Sequence, residues 1–419
     1  MVALSGSVCH TQVACLEETS IGSNGPRCAS LVAFADWGKY AGGETWLPGR
    51  RLAALKWTLV GGPFGMRLRN VFAVGLLVSA LVAGAGSGWA FLKTDALGSG
   101  MTRAANQFLD KLNEEQRAIA WVADYNAPQR LDWHFIPKPT RKGLQLRDMT
   151  AEQRQAAAAL LRAAMSQVGY DKSSHIMELE TILHIVENKR GTNRFARDPL
   201  RYYVTIFGKP TGEGRWGLSF EGHHLSLNFV VDKQQVISST PTFLGSNPAI
   251  VKDAVEGGAA VGTRVLAQEE VLAFELLDSL NEEQRKEAII APEAPSDIRA
   301  AGEAQPPQSA AVGIPYGKLN AAQQAVLHRL IVTYADNVPA ELRDERLAAI
   351  EAAGRDKIHF AWAGATKPGV GHYYRIQGTS FLIELVNTQP DPAGNPANHI
   401  HSVWRDMKGD FGIPIAAGG

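Results

Sequence analysis

The sequence predicts an α+β fold that is internally duplicated, with two helix-pair plus antiparallel-sheet units related by a pseudo-two-fold. Two observations lead there. The segment Leu112-Asn113-Glu114-Glu115-Gln116-Arg117 returns as Leu280-Asn281-Glu282-Glu283-Gln284-Arg285, and an internal recurrence is read before any local pattern. After each copy, a second helix start and strand-type runs follow in the same order.

The helix starts come first. Asn113 and Asn281 each stand three residues before a Gln, and so do Thr150 in Met149-Thr150-Ala151-Glu152-Gln153 and Asn320 in Leu319-Asn320-Ala321-Ala322-Gln323. This is the capping-box form. The cap side chain accepts from an orphan N–H, and the Gln reaches back to the cap's own N–H. An amphipathic helix is expected after the second cap, with Ala158, Leu161, Ala164, Met165 and Val168 on its apolar face in copy one. Val326, Leu327, Leu330 and Ile331 do the same in copy two. The strand-type run Tyr202 to Phe207 matches Ile358 to Ala363, and turn residues follow at Gly208-Lys209-Pro210 and Lys367-Pro368-Gly369. Trp216 to Val230 then matches Tyr373 to Val386, which places Glu221-Gly222 on Gln377-Gly378 and Asn228 on Glu384. The copies span about 105–245 and 270–415 within a single domain, 91–419. Pro292 to Pro315, with Pro295, Pro306 and Pro307, reads as a long surface loop inserted in copy two.

Residues 66–90 carry the three parts of an export signal. Met66-Arg67-Leu68-Arg69 is the positive start, Val71 to Ala85 the short apolar run, and Gly88-Trp89-Ala90 the small-residue cleavage site. The alternatives are a retained anchor or a core helix, but the run is short beside the ~20 residues a span requires. The working protein is therefore expected to begin near Phe91, to be periplasmic or extracellular, and to keep no stable membrane span. Residues 1–65 lie on the wrong side of that signal and read as a mis-assigned, disordered upstream extension, with Met66 the true start. Cys9, Cys15 and Cys28 all lie there, so a disulfide framework, a Cys nucleophile and a Cys-ligated metal are not expected.

Formal net charge is zero, which argues against a nucleic-acid partner, because phosphate binding needs a basic excess. The chain has no Gly-x-Ser-x-Gly elbow, no P-loop and no His-Glu-x-x-His helix.

Two histidine motifs remain: Glu221-Gly222-His223-His224-Leu225-Ser226-Leu227-Asn228 and Asn398-His399-Ile400-His401-Ser402-Val403-Trp404-Arg405-Asp406. Strand side chains alternate between faces. His399 and His401 are thus expected on one face, and His224 with Ser226 and Asn228 on another, which makes His224 a better ligand than His223. His223 is left as a further ligand or a group that orients its neighbour. The repeat puts Glu384 on the equivalent face of copy two. These residues suit zinc, or alternatively copper. The plainer alternative is hydrogen-bonded structural histidines, with Gly-His-His a simple turn. Arg405 is either a substrate clamp or one half of an ion pair with Asp406. Trp133, Trp216, Trp362 and Trp404 suit either ligand stacking or the core, and Arg141-Lys142-Gly143 either an anion clamp or a solvated run.

The motifs resemble those of an uncharacterised bacterial family, the domain of unknown function 3500 family. The resemblance rests on the LNEEQR segments, RDPLRYYVTIFGKP at 197–210, WGLSFEGHHLSLNF at 216–229, YYRIQGTSFLIELVNTQ at 373–389 and NHIHSVWRDMKGDFG at 398–412. It implies an exported family domain and no particular activity. The chemistry therefore rests on the residues. An exported metal-binding protein is expected, extending to a metal-dependent hydrolase. His223, His224, His399, His401 and Glu384 would be its ligands, Glu384 alternatively the general base, and Arg405 a group that holds a small-molecule substrate. The alternative is a non-catalytic binding protein for a metal or small polar ligand.

Overall fold

All four expected capping boxes form. Asn113, Thr150, Asn281 and Asn320 each accept from the N–H three residues on, and the Gln there returns the bond. The Gln side chains also tie the helices together in pairs. Gln116 and Gln153 exchange amide hydrogen bonds of 3.1 and 2.7 Å, and Gln284 and Gln323 exchange bonds of 3.0 and 2.9 Å. A motif that caps one helix thereby sets where the next one starts.

The computed structural model describes residues 97–192 and 194–415. The proposed export signal, the upstream extension and the three cysteines lie outside the described residues. In chain order the first half holds a helix through residues 97–110 (α1), α2 (Glu114–Ala120), β1 (Trp121–Val122), β2 (Leu144–Gln145), α3 (Ala151–Ala164) and α4 (Gln167–Arg190). It continues with β3 (Tyr203–Phe207), β4 (Arg215–Gly222), β5 (Leu225–Asp232), β6 (Gln235–Ser238) and β7 (Thr242–Ser246). The second half holds α5 (Ala267–Ser279), α6 (Glu282–Ala288), β8 (Ile289–Ala291), β9 (Ile314–Pro315), α7 (Ala321–Ala335) and α8 (Ala340–Ala353). It ends with β10 (His359–Gly364), β11 (His372–Gln377), β12 (Phe381–Asn387) and β13 (Ile400–Asp406). No described helix is long and apolar enough to cross a membrane.

The strands form one 13-stranded sheet, in the order β1-β3-β4-β5-β7-β13-β12-β11-β10-β8 with β2, β6 and β9 attached at its sides. Two separate small antiparallel sheets were expected. Instead β7 pairs with β13 and joins them, and β1·β3 and β8·β10 are parallel. The apolar face expected of α7 is buried at Val326, Leu327, Leu330 and Ile331. In α3 the buried stripe is Gln153, Ala156, Ala157, Leu160, Leu161 and Ala164, while Val168 is exposed, because the helix ends before it.

Both faces of the central strands are covered, and β12 is buried at every position. One core contains the helices, with Leu160, Leu161, Leu276, Leu277, Leu327 and Leu330 against Trp216, Tyr374 and Ile383. A second holds Trp133, Phe135, Phe243, Ile298, Tyr373, Val386 and Val403, and a small third one holds Leu179, Ile182 and Val251. Trp133 and Phe135 come from the long β1–β2 connection, and Ile298 from the β8–β9 connection. The segment from Pro292 to Pro315 is therefore a strap over the sheet, and its Ile298 is 4% exposed. Sheets covered on both sides have near-continuous apolar strands, which explains why these strands alternate so weakly.

Candidate metal centre

His224 and His223 form the two-residue turn between β4 and β5 rather than a strand face. The turn holds His224 in the left-handed region, at φ 61°, a conformation a non-glycine residue rarely adopts. Its backbone is clamped: the N–H donates to the Phe135 carbonyl at 2.8 Å, and its carbonyl accepts from Gly245 N–H at 2.8 Å. A Cβ on Gly245 would lie 3.0 Å from His224 Cδ2 and 3.0 Å from the Ile400 carbonyl oxygen, so the bare glycine makes room for the ring. His399 lies one residue before β13, where its N–H donates to Asn387 Oδ1 at 3.0 Å. His401 lies within β13, opposite Gly245 and Val386. Sheet register thus brings the β4–β5 turn and the start of β13 together across β7.

The three rings converge. His399 Nε2 is 2.8 Å from His224 Nε2 and 3.0 Å from His401 Nε2. One ligand atom from each of the three histidines lies within 4.8 Å of the others. Nitrogens about 2 Å from one tetrahedral cation stand about 3.3 Å apart, so the spacing fits three corners of such a site. Hydrogen bonding within the protein does not satisfy the cluster. His401 Nδ1 faces Asp297 Oδ1 at 2.9 Å, which puts the proton on Nδ1 and the lone pair on Nε2. A single N–H on His399 Nε2 then serves His401 or His224, never both, whereas a shared cation takes all three lone pairs.

The electrostatics keep the His224 and His399 lone pairs available. Burial pushes the His224 imidazole well below its usual range, aided by His223, His399, His401 and Arg197. The protein packed around His399 does the same, aided by His401, His223 and Arg197 against an opposing bond to the Pro390 carbonyl. Neutral imidazole is the form that ligates a metal. Asn247 Nδ2 lies 3.3 Å from His399 Nδ1 while its own Oδ1 is unpartnered, so the amide turned about would accept Nδ1–H and fix that ring too. His399 keeps partial exposure, while His224 and His401 are buried.

A family profile described as "Protein of unknown function (DUF3500)" matches residues 94–413. The chain belongs to the DUF3500 family. No curated protein and no solved structure matches it. The expected resemblance is thus borne out, and it assigns no chemistry to this DUF3500 chain.

The other expected site residues lie outside the triad. His223 stacks on His224 with ring centroids 3.8 Å apart. Its Nδ1 contacts Glu180, and Arg197 Nη1 approaches it at 3.0 Å. It backs the site from behind. Glu384 is fully buried, and its Oε1 accepts from Arg299 Nε at 2.8 Å and Tyr373 OH at 2.5 Å. Arg405 is fully buried too; it pairs with Asp410 rather than Asp406 and donates to the Ala300 and Glu303 carbonyls at 3.2 and 2.8 Å. Glu384 and Arg405 therefore pin the 292–315 strap to the sheet, and that strap carries Asp297 to His401. Arg141 and Lys142 are likewise paired, with Glu221 at 3.3 and 2.6 Å, rather than solvated. Trp133, Trp216, Trp362 and Trp404 are all buried. Sequence reasoning missed Asp297, Asn247 and Gly245. Asp297 lies in a proline-rich loop with no local pattern, and only folding brings it to β13.

Proposed function

We propose that this DUF3500 chain is an exported metal-binding protein in which His224, His399 and His401 hold one divalent cation, zinc or alternatively copper. The convergence of three Nε2 atoms, two of their contacts at 2.8 and 3.0 Å, carries this reading. Asp297 is the positioning group for His401. Three protein nitrogens leave a fourth position for water or a ligand, the arrangement of catalytic zinc sites. In a hydrolase reading the metal would lower the pKa of that water, and a small-molecule substrate would enter beside His399, the partly exposed ligand. The near-complete burial of His224 and His401, at 3% and 4% exposure, favours the second reading, a non-catalytic site for the metal itself.

The same proposal includes the duplication. Strand partners correspond in the two halves: Tyr203 faces Glu221 where His359 faces Gln377, and Ser219 faces Asn228 where Arg375 faces Glu384. Trp121 faces Ile206 where Ile289 faces Trp362, both in parallel pairs. These equivalences, together with the paired Gln bridges, support two units related about the β7–β13 seam.

The test is elemental analysis of protein purified from its native compartment without added metal. One zinc or copper per chain, lost in His401→Ala with an unchanged circular dichroism spectrum, is the expected result. Metal-free wild type that also fails to take up zinc or copper in vitro would remove the reading.

A further inference from the structure

A second polar site lies between α8 and the ends of β6, β12 and β13, in a cleft of about 200 Å³. Its lining includes Arg346, Ser239, Ser380, Trp404, Lys408 and the carboxylates Glu345 and Asp406, and none of the three histidines. The Arg346 guanidinium lies over the Trp404 ring, 4.7 Å from its centroid. Its Nη2 donates to Ser239 O at 3.1 Å and Ser239 Oγ at 2.8 Å. Among the described residues its buried Nη1 has no partner, and Ser380 Oγ is in the same condition.

The charge lacks a direct partner as well. Among the described residues no carboxylate forms an ion pair with Arg346, and Asp406 and Asp410 act on it only through space. Asp406 is otherwise engaged, since its Oδ1 accepts from Lys408 N–H at 2.8 Å. Burial pushes the Arg346 guanidinium down to about 10, still protonated at neutral pH. A guanidinium enclosed with one free donor, beside a free hydroxyl, is an unpaired buried cation, and such a group costs stability unless something pairs with it.

We infer that this cleft binds a small oxyanion-bearing molecule, a carboxylate or a phosphate, through Arg346 Nη1 and Ser380 Oγ against the Trp404 wall. Guanidinium suits this role because its planar donors match a planar or tetrahedral oxyanion. The volume is below the ~300–1,000 Å³ of sites for drug-sized ligands, so the occupant is a short-chain acid or a small phosphate. The inference does not depend on the metal reading, because the two sites share no residue.

The test is calorimetric and thermal titration of the full chain with inorganic phosphate and, separately, succinate, each against sodium chloride of equal ionic strength. One of the two should bind saturably and raise Tm above the chloride control, and which one does so identifies the oxyanion. Ser380→Ala should weaken binding about tenfold, the worth of one hydrogen bond to a charged group. Arg346→Gln should abolish it, and His401→Ala should leave it unchanged. If Arg346→Gln does not fold, Ser380→Ala decides. Absence of binding by both anions, wild-type affinity in Ser380→Ala, or loss of binding in His401→Ala would overturn the inference.

Discussion

Replacing Asp297 with alanine tests the carboxylate that, in the proposed metal site, would orient His401. Its Oδ1 lies 2.9 Å from His401 Nδ1 and also accepts from Ile298 N–H at 2.7 Å. The side chain is 33% exposed, so the metal-free fold should lose no more than about 1 kcal/mol. Metal affinity should fall much further, because removing an orienting partner of a ligating histidine costs about 10–100-fold, or roughly 1.4–2.8 kcal/mol. At free zinc near 100 times the wild-type Kd, binding stabilises the wild type by about 2.7 kcal/mol, and the variant keeps about 0.4–1.4 kcal/mol. For a domain of this size each kcal/mol is worth about 2 °C, so the zinc-dependent rise in Tm should shrink from about 5 °C to about 1–3 °C. The assay is thermal denaturation across a zinc titration, with far-ultraviolet circular dichroism as the fold control. An equal zinc-dependent shift in wild type and Asp297→Ala would refute the positioning role, and no shift in wild type would refute the site.

Three further outcomes are expected. Glu384→Gln should leave zinc stoichiometry unchanged but lower stability by about 1.5–3 kcal/mol, because Arg299 loses a charged partner on a fully buried carboxylate; urea denaturation with metal analysis checks both. The metal-free protein should lose stability as pH falls below about 6.5, because His224 and His399 are held below that value when folded and the unfolded chain takes up those protons first; denaturation midpoints between pH 7.5 and 5 show the slope, and a flat profile contradicts it. Protein recovered from the periplasm or medium should begin near Phe91 by mass spectrometry, and intact chain starting at Met1 in the cytosol would contradict export.

Local chemistry was legible in the sequence. The capping boxes at Asn113, Thr150, Asn281 and Asn320 depend on residues three apart, and all four form as expected. The strand runs from Tyr202 and Ile358 fall within one residue of β3 and β10 for the same reason, since local pattern and turn residues set their limits. His399 and His401 share a face because alternation along an extended chain is a local property. What joins distant segments was not legible. The β7–β13 pairing brings the His223–His224 turn beside His399, and no residue in either motif encodes that seam by itself. Glu384 reads as a ligand by position in the repeat; in the fold its Oε1 meets Arg299 of the strap, and the carboxylate beside His401 is Asp297 of the same strap. Sequence periodicity fixes the direction in which a side chain leaves its own element. Which partner it meets depends on long-range packing of the β1–β2 and β8–β9 connections onto the sheet, and those connections carry no period to read.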